Sequence, residues 1–92
     1  MAPPNRDSRP RLAPGCRLSE AEGQGEMLLL PEGALKLNPT ALRIVGYCDG
    51  QRTFDEILAL LRADFGSTDQ HRMEQESAVL LEQLNTRGAI RY

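Results

Sequence analysis

The sequence has few of the residues that carry out chemistry. Its 92 residues include no tryptophan, two tyrosines, two phenylalanines, one histidine and two cysteines. Cys16 and Cys48 stand alone, without a CxxC pair or a histidine nearby, so we expect two reduced thiols and neither a disulfide nor a metal site. His71 shares no helix face with a nucleophile, and no glycine loop suited to phosphate is present. These absences predict a protein that is not an enzyme and that needs no cofactor.

Long apolar runs are also missing. No run approaches the ~20 residues that a membrane-spanning helix needs, and the proline-rich N-terminus lacks the apolar core of a signal peptide. We therefore expect a cytoplasmic protein with no membrane partner. A leucine-based core in a single small domain is marginal at this size, so a partner or a second copy would help to stabilise it.

Positive charge is scarce outside the N-terminus. The chain has eleven basic and thirteen acidic residues and a net charge of −2. Residues 1–14 carry a net charge of +2, so the remainder carries −4. Because a phosphate backbone attracts lysine and arginine, this balance predicts no nucleic-acid partner.

Residues 1–14 have a composition of their own. They include four prolines and three arginines, and they offer almost nothing apolar to bury. This composition predicts a flexible Pro/Arg-rich tail, and deletion of residues 1–10 should leave the melting temperature nearly unchanged. We expect residues 15–92 to form the single folded domain.

The hydrophobic pattern then predicts three short strands. We place them at residues 16–20, 27–30 and 34–37. A polar, glycine-containing turn separates the first two strands, and Leu30-Pro31-Glu32-Gly33 fits a type I turn between the second and third. Three successive short strands predict an antiparallel β-meander.

Three helices follow. Asn38 can cap the first helix with Pro39 in its first turn, and Thr53 with Glu56 forms a capping box for the second. Ser67, Thr68 and Asp69 are expected to cap the third helix, which should end at Gly88. The whole pattern predicts an α+β, winged helix-turn-helix-like fold, with the meander followed by a three-helix bundle.

This shape leaves other functions open. Winged helices commonly bind DNA, so a DNA-binding transcriptional regulator is the alternative function. However, residues 69–87 contain two arginines against four carboxylates, which would repel a phosphate backbone. A small structural subunit of a larger enzyme is a further alternative.

Four segments resemble the PqqD family of pyrroloquinoline quinone (PQQ) biosynthesis. They run from about Arg11 to Tyr92 in the family's order and spacing: RLAPGCRLSE, LLLPEGALKLN, IVGYCDGQRTFDEILALL and LLEQLNTRGAI. The most specific signal is LxPEGxxxLN followed at this distance by CDGxRT. The resemblance implies a peptide chaperone that binds the precursor peptide PqqA and presents it to PqqE, a radical S-adenosylmethionine (SAM) enzyme.

The resemblance also implies where a peptide would bind. In this family of recognition elements, a leader peptide lies between the third strand and the third helix, and an outer strand offers free backbone groups for strand addition. Carried onto this sequence, the peptide-binding residues are Ala34, Leu35, Lys36, Leu37, Met73, Glu76, Ser77 and Leu80.

Several of these residues have a second explanation. Leu35, Leu37 and Leu80 fit an ordinary core equally well. Lys36 is the better candidate because its alternation points it away from the leucines, although a lysine can also guard a strand edge against aggregation. Ser77 and Ala78 stand where bulkier apolar residues are expected, which leaves the depth of the groove open. An exposed edge also allows a homodimer, through the strand edge or by strand exchange at residues 21–26.

Overall fold

The computed structural model describes residues 3–21, 25–66 and 69–92, and side chains at all of these positions except 20, 21, 25 and 26. The elements in these ranges are β1 Arg11–Leu12, β2 Arg17–Ala21, β3 Gly25–Leu30, β4 Gly33–Lys36, α1 Pro39–Gly46, α2 Phe54–Asp64, α3 Gln70–Thr86 and β5 Ile90–Arg91. The predicted α+β order, an antiparallel meander followed by three helices, is confirmed. The centre of the turn proposed for strand exchange, and the capping residues Ser67 and Thr68, lie outside the described residues.

The three-stranded sheet has the order β2-β3-β4, which puts β4 at an edge. Its antiparallel register aligns Leu18 with Leu28 and Leu28 with Leu35. Leu28 is completely buried, and the other two leucines are half-buried against the core. On the other face of β4, Ala34 and Lys36 are exposed. The predicted alternation is therefore confirmed, although β4 ends at Lys36 and leaves Leu37 just beyond it.

Polar caps start each helix where the sequence predicts. The Asn38 side chain accepts a 2.7 Å hydrogen bond from the Ala41 N–H, and Thr53 and Glu56 form both bonds of a capping box. These bonds satisfy N–H groups that have no partner within the helix, and the backbone N–H of Thr53 also holds the pKa of Glu56 below its usual range. At the other end of α3, the positive φ of +79° at Gly88 suits a residue without a Cβ atom.

The core lies between the three helices and the inner face of the sheet. Its buried members are Leu28, Ile44, Val45, Cys48, Phe54, Ile57, Leu58, Leu61, Met73, Leu81, Leu84, Ala89 and Ile90. In α1 the buried face is Ala41, Ile44 and Val45, whereas Leu42 is only half-buried. The core is therefore built mainly from α2 and α3, and the sheet contributes one fully buried leucine.

The N-terminal residues do not form the predicted tail apart from the domain. Residues 4–13, which we call the N-terminal strap, lie across the start of α2. The carbonyl oxygens of Arg6, Ser8 and Pro10 accept hydrogen bonds from the N–H groups of Asp55 (3.2 Å), Phe54 (2.7 Å) and Gly50 (3.0 Å). The first N–H groups of a helix have no partner within it, so a strap with no apolar stripe can still dock through its backbone.

Two further features hold the strap. Its β1 strand pairs antiparallel with β5 near the C-terminus. Pro4, Pro10 and Ala13 are buried, and Arg6 forms ion pairs with Asp55 and Glu74. The prediction of an independent tail ending at residue 14 is therefore wrong for the strap, because composition does not reveal backbone hydrogen bonding.

We expect Cys48 to resist alkylation in the folded protein. Its Sγ donates a 3.2 Å hydrogen bond to the Ile44 carbonyl, and burial raises the pKa of the thiol to about 12. At pH 8 almost no reactive thiolate is present, whereas in the unfolded chain the pKa returns to about 8.5. Mass spectrometry after iodoacetamide treatment, with and without guanidinium, would measure this difference. Rapid labelling of Cys48 without denaturant would contradict the buried position.

Candidate functional site

A groove of about 250 Å³ lies between α1 and α3. It is lined by Asn38, Thr40, Ala41, Ile44, Phe65, Met73, Glu76, Ser77 and Leu80. Small-molecule sites usually enclose about 300–1,000 Å³. The groove is therefore better suited to one large side chain than to a cofactor.

All four helix residues predicted to bind peptide line this groove. They are Met73, Glu76, Ser77 and Leu80. Met73 and Ser77 are buried, Leu80 is half-buried and Glu76 is exposed. The helical spacing of three and four residues brings them to one side of α3, so the structure joins them in one surface. Their role in binding stays a prediction.

The four predicted strand residues lie beside the groove and do not line it. Ala34, Leu35 and Lys36 belong to the edge strand β4, and Leu37 follows it directly. The next residue, Asn38, both caps α1 and lines the groove. The free strand edge and the groove are thus separated along the chain by the single residue Leu37.

Sequence reasoning missed the α1 side of the groove and Phe65. Thr40, Ala41 and Ile44 line the wall opposite α3. A signal was present, because Ala41 and Ile44 are three residues apart and therefore share a helix face. Phe65 follows the last residue of α2 and is half-buried, so it serves both the core and the groove.

Charges of both signs lie near the groove. Glu76 accepts a 3.0 Å hydrogen bond from Arg72, one helical turn earlier, and the two side chains are 63% and 76% exposed respectively. Lys36 is exposed and has no ion-pair partner among the described residues. Exposed pairs such as Arg72–Glu76 contribute only ~0.2–1 kcal/mol, so Glu76 can exchange its partner at little cost.

Ser77 is the unusual member of the groove. Ser77 as a whole residue is 1% exposed, and its Oγ has no hydrogen-bond partner among the described residues. A serine inside a helix can bond to the carbonyl four residues earlier, but this one does not. A buried polar atom without a partner costs free energy, so this position is not explained by stability alone.

Other features of the described residues add little chemistry. A second groove, of about 480 Å³, lies on the opposite side of α1 and is lined by Leu18, Pro39, Leu42, Arg43, Gly46 and Tyr47. No three potential metal ligands cluster among the described side chains. Within the described ranges, none of the helices is both long and apolar enough to cross a membrane.

Comparison with known proteins shows the family to which the chain belongs. The family model of Coenzyme PQQ synthesis protein D (PqqD) matches residues 26–90. The PqqA binding protein of Pseudomonas fluorescens Pf-5 is 40% identical over 62 residues, covering 66% of this chain and 68% of that protein. The PqqA binding protein of Xanthomonas axonopodis pv. citri is 32% identical over 87 residues, which cover 94% of each chain.

Two solved structures share the fold. The solution NMR structure of the PqqD truncation of Methylobacterium extorquens PqqCD has a TM-score of 0.76 and 26% identity, covering 90% of this chain and 88% of that one. It represents a functional, stand-alone recognition element for ribosomally synthesized and post-translationally modified peptides (a RiPP recognition element). Lasso peptide synthetase B1, complexed with the leader peptide, also has a TM-score of 0.76, at 22% identity over 92% of this chain and all of that one. That second likeness concerns the fold alone.

Proposed function

Since the chain belongs to the PqqD family, we propose that it is a peptide chaperone of PQQ biosynthesis that binds the precursor peptide PqqA. The names of its relatives support this partner. The structural observation that carries the proposal is the free edge of β4, which a single residue, Leu37, separates along the chain from Asn38 in the lining of the groove. An extended peptide can add a fourth strand at this edge and place a side chain in the groove.

The two parts of the site supply different components of binding. Backbone hydrogen bonds at β4 depend little on the sequence of the peptide, so they supply affinity. The groove between α1 and α3 supplies selectivity because its walls are apolar at Ala41, Ile44 and Leu80 and polar at Glu76 and Ser77. Peptide binding therefore requires no catalytic group, and we propose that the protein acts as an adaptor without enzymatic activity.

Titration with synthetic PqqA tests this function. We expect a Kd in the micromolar range or tighter, which corresponds to about −8 kcal/mol or better. Backbone amide chemical shifts should change in β4, in the first turn of α1 and along the groove side of α3. A protein that shows no binding at millimolar peptide, or shift changes confined to the opposite edge strand β2, would contradict the proposal.

Lys36→Glu is expected to weaken PqqA binding several fold to about tenfold. Lys36 is exposed on the edge strand, and with Glu76 it provides one charge of each sign near the bound peptide, which can fix direction and register. The loss should shrink at high salt, since screening acts most strongly on exposed charges. Thermal stability should stay within about 0.5 kcal/mol of the parent.

The matched control for this substitution is Arg17→Glu. Arg17 is an exposed basic residue on β2, the opposite edge of the same sheet. This substitution makes the same change of charge two strands away from the β4 edge, so it should affect peptide affinity much less than Lys36→Glu. Equal affinity of Lys36→Glu and the parent at low salt would show that Lys36 only protects the edge from aggregation.

We further propose that the PqqA complex is presented to the radical SAM enzyme PqqE in the cytoplasm. The family membership supports this partner. We predict that the protein contacts PqqE only when PqqA is present. Mixing the protein with PqqE, with and without PqqA, and measuring complex formation by size-exclusion chromatography would test it. A stable complex that forms without peptide would favour the alternative of a structural enzyme subunit.

The free β4 edge also supports a homodimer at high concentration. A second copy can pair with the same backbone groups that the peptide would use. Added PqqA should therefore shift such a dimer towards monomer, as measured by light scattering. The remaining alternative, DNA binding, is disfavoured because residues 69–87 carry four carboxylates and only two arginines, and a gel shift at moderate salt would test it.

A further inference from the structure

We propose that Ser77 is a specificity-determining residue for the bound peptide. The groove takes a side chain that is apolar along its length and ends in a hydroxyl or carboxamide group, and that group forms a hydrogen bond with Ser77 Oγ. This inference rests on the proposed peptide-binding function. It adds the chemical class of the side chain that the groove selects.

The first argument is the cost of Ser77 in the free protein. Its Oγ is buried and has no hydrogen-bond partner among the described residues. Alanine at the same position of α3 would remove that cost and is also a better helix former. The serine therefore lowers the stability of the free protein, and this cost is recovered when a ligand supplies a partner.

The second argument is the composition of the groove around Ser77. Ala41, Ile44, Phe65 and Leu80 make most of its wall apolar, so the stem of the entering side chain must be apolar as well. A serine hydroxyl can both donate and accept, so it can pair with the end of a tyrosine, threonine or glutamine side chain. A purely apolar side chain would fill the groove but leave Oγ without a partner, and such unpaired groups are the basis of strong selectivity.

The third argument concerns access. Ser77 lines the groove, although its Oγ is covered in the free protein. Met73 lies one helical turn earlier and lines the same groove. Its unbranched side chain adapts readily to a new neighbour, so the groove can rearrange beside Ser77 when a peptide side chain enters.

Ser77→Ala tests the proposal because it should change stability and affinity in opposite directions. The melting temperature of the variant should equal or exceed that of the parent. Its affinity for synthetic PqqA should fall about three- to tenfold, the value of one neutral hydrogen bond. Gln75→Ala, an exposed change on the same helix, is the matched control and should leave affinity unaltered.

Substitutions in the peptide complete the test. In PqqA, each tyrosine is replaced in turn by phenylalanine, each threonine by valine and each glutamine by leucine. One replacement should weaken binding to the parent and have little effect on binding to Ser77→Ala, as a double-mutant cycle requires for a direct pair. If none of the peptide replacements shows this coupling, the proposed role of Ser77 is overturned. It is also overturned if the parent binds PqqA and Ser77→Ala binds it equally tightly.

The remaining outcomes are also decisive. A Ser77→Ala variant that loses both stability and affinity would show a structural role and overturn the proposal. A parent that fails to bind PqqA at all would overturn the proposed function and this inference together. Only the combination of unreduced stability, weaker binding and coupling to one peptide side chain supports Ser77 as the selecting residue.

Discussion

Deletion of residues 1–10 is expected to lower the free energy of unfolding by about 2–4 kcal/mol. The deletion removes the carbonyl groups of Arg6, Ser8 and Pro10, which accept hydrogen bonds from Asp55, Phe54 and Gly50. Each such bond contributes about 0.5–1.5 kcal/mol, and the buried side chains of the strap add an apolar contribution. For a domain of this size the melting temperature should fall by roughly 10–25 °C.

Thermal unfolding followed by circular dichroism would measure this loss. Deletion of residues 1–3 is the control, because Pro3 is exposed and every described strap contact begins at Pro4 or later. Arg6→Ala should cost much less than the full deletion, since the Arg6 ion pairs with Asp55 and Glu74 are partly exposed. An unchanged melting temperature after deletion of residues 1–10 would restore the flexible tail that composition suggests.

Proline in β4 is expected to reduce PqqA affinity by at least about tenfold, ~1.4 kcal/mol, at one of two neighbouring positions. In an antiparallel edge strand, successive residues direct their backbone groups alternately to the partner strand and outwards. Proline lacks the N–H group and its ring obstructs an approaching strand. One of the two variants, Ala34→Pro or Leu35→Pro, loses the N–H that points away from β3 towards the added peptide. That variant should show the loss of affinity.

The other variant of this pair serves as the structural control. It loses an N–H directed at β3, so its free energy of unfolding should fall. The peptide affinity of the folded variant should change little. Leu35→Pro also disturbs a half-buried side chain that packs on the core, whereas Ala34 is exposed. Isothermal titration of both variants, with folding checked by circular dichroism, separates the two effects. Parent-like affinity in both folded variants would exclude strand addition at β4.

Local chemistry explains why so much of the fold could be predicted from the sequence. Asn38 and the Thr53–Glu56 pair satisfy N–H groups within their own helix turns, and Gly88 ends α3 through its own backbone conformation. The alternation in Leu35 and Lys36 likewise reports which face of β4 is covered. Interactions between residues a few positions apart are visible in a sequence, so the order of the meander and the three helices was predictable.

Only the α3 side of the candidate site was predictable from the sequence. The spacing of Met73, Glu76, Ser77 and Leu80 places them on one side of α3, and the structure puts all four in the groove. The opposite wall depends on how α1 crosses α3, which brings Ile44 to face residues about thirty positions later in the chain. The spacing of Ala41 and Ile44 shows that they share a helix face, but it does not show which helix that face packs against, so this wall was missed.

The amino-acid sequence alone was enough to predict the order of the meander and the three helices, the helix caps, the alternation of the edge strand and the family. Three features became visible only in the folded chain: the position of β4 next to the groove, a Ser77 Oγ with no partner among the described residues, and the docking of the strap on α2. The strap contacts the start of α2 through backbone carbonyl groups, which every residue carries in the same form, so its side chains give no warning of the contact. Docking, burial and hydrogen-bond satisfaction depend on segments distant in the chain, and for that reason they appear only once the chain is folded.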